Sequence, residues 1–120
     1  MSAHIAVAVV NAVLTLVSTG FALVSLIRPT LLPTGDDPET STVSLYARMY
    51  AARALPLGVV TLVLLAMSEW RSIVPILIVA GLAQAGDVIA GVPQRNRVMI
   101  LGAGMAAVVH LASAWWFAAH

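Results

Sequence analysis

Cysteine is absent from the 120 residues and lysine is absent as well, so every basic residue is one of six arginines. Without cysteine there is no disulfide framework, no thiol nucleophile and no thiolate metal site. Charge of either sign is scarce. Asp, Glu, Lys and Arg make up 9% of the chain, against about 25% in a soluble domain. Apolar residues make up 61% and the mean hydropathy is +0.99. They cluster into long runs, which excludes a soluble globular domain. Disorder is excluded too, because it requires low hydrophobicity and high charge. The formal net charge of +1 leaves no electrostatic footprint for nucleic acid. What remains is a small polytopic membrane protein whose first partner is the lipid bilayer.

A membrane-spanning helix needs about 20 mainly apolar residues. Four such runs are present, and they predict one four-span membrane domain over residues 1–120, with spans at about 3–27, 43–67, 73–92 and 98–118. The first ends at Arg28-Pro29, where proline disfavours helix in the residue before it. It is not a secretory signal peptide, because Met1-Ser2-Ala3-His4 lacks a basic residue and the run exceeds a normal apolar core. Residues 28–42 read as a polar loop. Asp37-Pro38-Glu39 reads as a helix start, with Asp as cap and Pro at the first helical position. Ser72 is the expected cap of the third span, with Pro75 in its first turn. The connections between spans 2 and 3 and between spans 3 and 4 are short, so these neighbours are antiparallel hairpins. The predicted class is an all-α transmembrane four-helix bundle.

Arginine counts near the span ends set the orientation. Arg28, Arg48, Arg95 and Arg97 share one side, and Arg71 stands alone on the other. The positive-inside rule places both termini outside a bacterial inner membrane. Trp70, Trp115 and Trp116 then form an outer belt, and Tyr46 and Tyr50 an inner one. His4 and His120, at the termini, read as solvated.

Charges within a bilayer are costly and usually face a bundle interior, a cavity or a partner. Arg53 lies 14 residues before Met67, and Asp87 lies 15 after Ser72. In an antiparallel hairpin these positions share one level, so an ion pair is natural, with the planar guanidinium fork suited to the carboxylate. The alternative is that Arg53 snorkels to the headgroups and Asp87 merely sits near a span end. Tyr46, Tyr50 and Arg53 share one helix face at i, i+4, i+7, and Gln84 and Asp87 share another at i, i+3. Pro56 cannot donate to the Ala52 carbonyl, which predicts a kink beside the charge. Gly58 lets another helix approach. Asn11, Thr15 and Ser18 line one face of the first helix. By depth, Asn11 and His110 can meet near mid-membrane, either as one helix–helix hydrogen bond or as a catalytic or proton-carrying histidine.

Metal chemistry finds no support: there is no His-x-x-x-His and no Glu-x-x-His, and the one intramembrane carboxylate has an arginine opposite it. No cofactor is expected. Gly102-Ala103-Gly104 inside a span is not a phosphate loop. Gly102 with Ala106 and Gly86 with Ala90 are small-x-x-x-small pairs, suited to contacts within one chain or to a homo-oligomer.

The stretches Tyr46-Ala47-Arg48, Ala52-Arg53-Ala54-Leu55-Pro56-Leu57-Gly58, Ala80-Gly81-Leu82-Ala83-Gln84-Ala85-Gly86-Asp87 and His110-Leu111-Ala112-Ser113-Ala114 carry a resemblance. Together they resemble a family of small, largely actinobacterial four-helix integral membrane proteins with a domain of unknown function, distantly similar to the DoxX-like proteins. The resemblance covers most of the chain and implies a four-helix bundle in the inner membrane. It implies no reaction.

Three functional expectations follow. The first is an accessory or scaffold bundle whose Arg–Asp cluster fixes helix register. The second is a protein binding a lipophilic small molecule, or a membrane enzyme, with Asn11, Tyr46, Tyr50, Arg53, Gln84, Asp87 and His110 around the site. The third is a small oligomeric transporter with Asp87 as coupling site. A cavity of about 300 Å³ or more would favour the second.

Overall fold

The computed structural model describes residues 2–27 and 41–120. It contains four α-helices: α1 (Ala3–Ile27), α2 (Ser41–Ala66), α3 (Trp70–Gly91) and α4 (Arg97–Ala119). Residues 28–40 of the loop predicted at 28–42, with the helix start at Asp37-Pro38-Glu39, lie outside the described residues, and residues 41 and 42 of that loop already belong to α2. Neighbours in sequence are neighbours in space, and α4 closes the ring against α1. The tightest seams lie within the hairpins α1–α2 and α3–α4; the α2–α3 and α1–α4 seams are looser.

Each helix is long and apolar enough to cross a membrane. Only 22%, 22%, 28% and 33% of their four apolar windows are buried inside the protein. The bundle is therefore apolar on its outside, as a membrane protein must be. In α1 the large residues Val9, Val13, Leu16 and Val17 point outward, while Ala8, Asn11, Thr15, Ala22 and Ser25 are buried. The inward stripe is small and polar, the reverse of a soluble amphipathic helix.

Small inward residues let the helices approach closely. Ala22, Ala47 and Ala51 are buried where α1 meets α2, and the Ser25 hydroxyl donates across this seam to the Ala47 carbonyl at 3.1 Å. Gly58 lies against Thr19, with no room for a Cβ, so the neighbour it admits is α1. Gly81 plays the same part in the α3–α4 seam, against Leu111. The small pairs singled out in the sequence behave differently. A Cβ on Gly86 or Gly102 would meet nothing within 4 Å, and Ala90 is exposed, so these three positions face outward, whereas Ala106 is buried and the Gly102–Ala106 pair is split between the two faces.

The helix ends refine the expected boundaries. The Ser2 hydroxyl accepts from the Ile5 amide at 3.2 Å and caps α1. Helix α3 starts at Trp70 rather than after Ser72. Glu69 stands at its N-cap position without a side-chain bond, and Pro75 lies beyond the first turn. Helix α4 is capped by Asn96, whose side chain accepts from the Met99 amide at 3.2 Å. Helix α2 runs on through Pro56.

Both described turns have one architecture. Ser68 (φ 56°) and Arg95 (φ 53°) adopt the left-handed conformation just after a helix. At the first turn, Ser68 N–H bonds the Leu65 carbonyl and Glu69 N–H bonds the Leu64 carbonyl. At the second, Arg95 N–H bonds Val92 and Asn96 N–H bonds Gly91. These are Schellman closures, which satisfy the last carbonyls of a helix.

One end of the bundle collects both termini and the α2–α3 turn. There His4 packs on Trp70, Trp116 and Phe117 with ring centroids 5.6, 4.8 and 5.9 Å away. His4 is thus half-buried in an aromatic cluster, not solvated as expected, because the α2–α3 turn and the end of α4 close over it. Trp70 stacks on Phe117 at 5.3 Å, and His120 stacks on Trp116 at 4.6 Å. We call this the terminal end. Beneath it, Ala8, Leu65, Ile73, Leu77, Ala114 and Phe117 form the apolar core.

Candidate functional site

Below that core the interior turns polar. Arg53 of α2 and Asp87 of α3 meet across the loose seam. Nη2 of Arg53 donates to both carboxylate oxygens, at 2.8 and 2.9 Å. One nitrogen serves both oxygens, so this is not the two-nitrogen fork the sequence suggested. The depths give the reason. Arg53 lies 13 residues from Ala66, about 20 Å from the terminal end, and Asp87 lies 17 from Trp70, about 25 Å from it. The arginine side chain runs along the bundle to reach the carboxylate, so pairing and snorkelling coincide. The Arg53 side chain is 44% exposed and that of Asp87 11%. The guanidinium also lies over the Tyr50 ring, 5.6 Å from its centroid, close enough for a cation–π contact.

Tyr50 and Gln84 join the pair to α1. The Tyr50 hydroxyl reaches the Ser18 carbonyl at 3.5 Å, and the Gln84 amide donates to the Ser18 hydroxyl at 3.2 Å. The second of these bonds crosses the bundle diagonally. Tyr46 does not join them. It is 45% exposed and its hydroxyl points to the Met99 sulfur, 3.9 Å away on α4. The i, i+4 spacing puts Tyr46 one turn nearer the helix end, past the cavity.

A second cluster lies nearer the terminal end. The Asn11 amide donates to the Val7 carbonyl at 2.8 Å and to the Ser113 hydroxyl at 2.7 Å. Its carbonyl oxygen is 2.8 Å from Nδ1 of His110. Asn11, His110 and Ser113 are all buried. Ser113 was not singled out from the sequence, although its i+3 spacing from His110 on the same face was the available signal.

A cavity of about 40 Å³ joins the two clusters. Its walls include Thr15, Ser18, Tyr50, Arg53, Gln84, Asp87 and His110, with Thr61 and Gly58 from α2. Thr61 was also unforeseen; it is buried, and its hydroxyl donates to the Leu57 carbonyl at 2.7 Å. By volume the cavity has room for about three waters. Among the described residues, no buried side-chain nitrogen or oxygen lacks a hydrogen-bond partner. No group of three or more metal-ligating side chains occurs among them.

The chain matches no protein-family model, and no curated protein or solved structure is significantly similar to it. The site must therefore be read from its own chemistry.

Proposed function

We propose that this chain is an accessory or scaffold bundle of the bacterial inner membrane, with both termini outside and the α3–α4 turn in the cytoplasm. Its buried polar groups fix the register of four otherwise smooth, small-faced helices. The observation that supports this most directly is that every buried side-chain nitrogen or oxygen among the described residues is paired, beside a cavity of about 40 Å³. Pockets that hold small molecules run from about 300 Å³ upward. The ligand or enzyme alternative thus lacks the room it asks for. A transporter coupled through Asp87 asks for a carboxylate with a free oxygen, and both oxygens of this one accept from Arg53. Four arginines against one support the sidedness. The likeness to the small actinobacterial four-helix proteins belongs to the same reading. So does a second copy as partner, for which Gly86, Ala90 and Gly102 offer outward-facing small positions.

The test is an apolar exchange of the pair, Arg53→Met with Asp87→Leu. Buried ion pairs often tolerate replacement by packed apolar groups of similar volume. A scaffold predicts a folded double variant that complements a deletion strain as the wild type does. A variant that folds and fails to complement would overturn the reading.

A further inference from the structure

The protonation pattern of His110 follows from one backbone carbonyl. The Val7 carbonyl can only accept, so the end of Asn11 that faces it is the NH₂ group. The other end of Asn11, the oxygen, then faces His110 and can only accept. Nδ1 of His110 therefore carries the proton, and Nε2 carries a lone pair. Among the described residues Nε2 has no protein partner, yet it is not a buried orphan. His110 lines the cavity, so Nε2 is the atom it offers there.

The surroundings of that lone pair are one-sided. Away from the terminal end, the cavity is lined by Thr15, Ser18, Gln84 and the half-exposed Arg53. These groups give waters the two to four polar partners they need. Toward the terminal end stand Leu65, Ile73, Leu77 and Phe117, all buried, capped by the stacked Trp70 and Phe117 rings. Thr61 and Ser113, both buried, lie level with Leu77, and beyond them Leu65, Ile73 and Phe117 close the bundle.

We propose that His110 Nε2 is a proton-binding site at the blind end of a hydrated pocket. The pocket is reached from the side of the membrane bearing the α3–α4 turn and closed from the side bearing the termini. In the step itself, a hydronium in the cavity gives its proton to the Nε2 lone pair, leaving a neutral water and an imidazolium with N–H on both nitrogens. The Nδ1–H bond to Asn11 is kept, so the bundle takes the proton without losing a helix contact. The ligand is the proton, and this inference stands apart from the scaffold reading.

The charged and titratable groups facing the site are few. From α1 come only neutral Asn11, Thr15 and Ser18; from α2, Arg53 and Tyr50; from α3, Asp87 beside neutral Gln84. His4 lies beyond the apolar layer, in the aromatic cluster. Arg53 and Asp87 offset one another while paired. Removing one leaves His110 facing the charge of the other without its offset. Arg53→Gln should raise the midpoint and Asp87→Asn should lower it.

The experiment is solid-state ¹⁵N NMR of the full chain in liposomes, with the pH set separately inside and outside. The His110 signals are assigned by difference from His110→Gln. Orientation is read from Gln94→Cys labelled with a membrane-impermeant maleimide, which is unique because the chain has no other cysteine. The expected result is an Nδ1–H neutral ring at high pH that becomes imidazolium when pH falls on the Gln94 side alone, with opposite shifts in the two charge variants. A ring that stays neutral from pH 8 to pH 4, an Nε2–H tautomer, or a response to the opposite side would each overturn the proposal.

Discussion

The two halves of this bundle are held together by different chemistry. Near the termini, large side chains fill the interior: Leu65, Ile73, Leu77 and Phe117, under a lid of stacked rings. In the other half the inward positions are mostly alanine, glycine, serine and threonine, and the specific contacts seen among the described residues are hydrogen bonds and the Arg53–Asp87 ion pair. In water the first half would be the stable one and the second an expense. In a bilayer that ranking weakens, because lipid tails are as apolar as leucine and burying apolar surface between helices gains little. Packing and polar pairing then hold both halves, and the difference between them becomes one of permeability. One half is packed shut by large side chains, and the other holds the cavity of about 40 Å³.

The sharpest way to break this contrast is at the ion pair. Removing one partner of a buried pair leaves a charge uncompensated, at a typical cost of about 3–5 kcal/mol. Here the two partners are not equivalent. Asp87 is buried, whereas the Arg53 side chain is 44% exposed and can turn toward the headgroups when alone. Arg53→Ala should therefore destabilise by about 3 kcal/mol, at the lower end of that range, and Asp87→Ala by nearer 1 kcal/mol. Unfolding in detergent micelles would measure both, and the double Ala variant should lose less than the sum. Equal single losses, or strictly additive ones, would show that the cleft is not organised by this pair.

How much of this was legible beforehand depends on which residue is asked about. The spans were plain, because apolar runs of helix length mean the same thing in any context, and α1 runs from Ala3 to Ile27 as the pattern predicts. Counting from the ends of a short hairpin brought Arg53 to Asp87 but placed them level, whereas Asp87 lies about four residues deeper because α3 starts at Trp70 rather than after Ser72. The same counting brought Asn11 to His110. Lateral position was a different matter. Tyr46 shares a helical face with Arg53, but depth excludes it from the cavity, and i, i+7 spacing alone says nothing of where a cleft ends. The glycines show a related limit. Gly81 and Gly102 both sit amid alanines and apolar residues, yet only Gly81 meets a neighbour, because which face of a smooth helix turns inward is decided by its partners. The cavity volume, which decides most about ligand binding, has no signature in the sequence at all.

A second test addresses the plug. Leu77 is fully buried in the apolar core. In soluble proteins, Leu→Ala costs about 2–5 kcal/mol through lost transfer energy and the cavity left behind. In a bilayer the transfer contribution falls away, so Leu77→Ala should cost about 2 kcal/mol, close to the cavity contribution alone. It should also extend the hydrated cleft upward. Backbone amide exchange around His110 from the terminal side, negligible in the wild type, would then become measurable. A Leu77→Ala protein that loses stability but stays closed from that side would place the seal in the aromatic lid instead.

The smallest effect tests whether the contrast reaches the backbone. Ser68 closes the α2–α3 turn at the plugged end, and Arg95 closes the α3–α4 turn at the other, with the same pair of hydrogen bonds and nearly the same φ. A left-handed conformation is easy for glycine and strained for residues with a Cβ, so Ser68→Gly and Arg95→Gly should each gain about 0.5–1 kcal/mol. The gain should be alike at the two ends, since the strain is local and owes nothing to plug or cleft. The two variants should separate only in topology. Arg95→Gly removes one of the four arginines that bias its side inward, and Ser68→Gly removes none. Thermal unfolding gives the first comparison, and labelling of Gln94→Cys in whole cells gives the second. Unequal stability gains would mean that the chemistry of each half also constrains the turn that closes it.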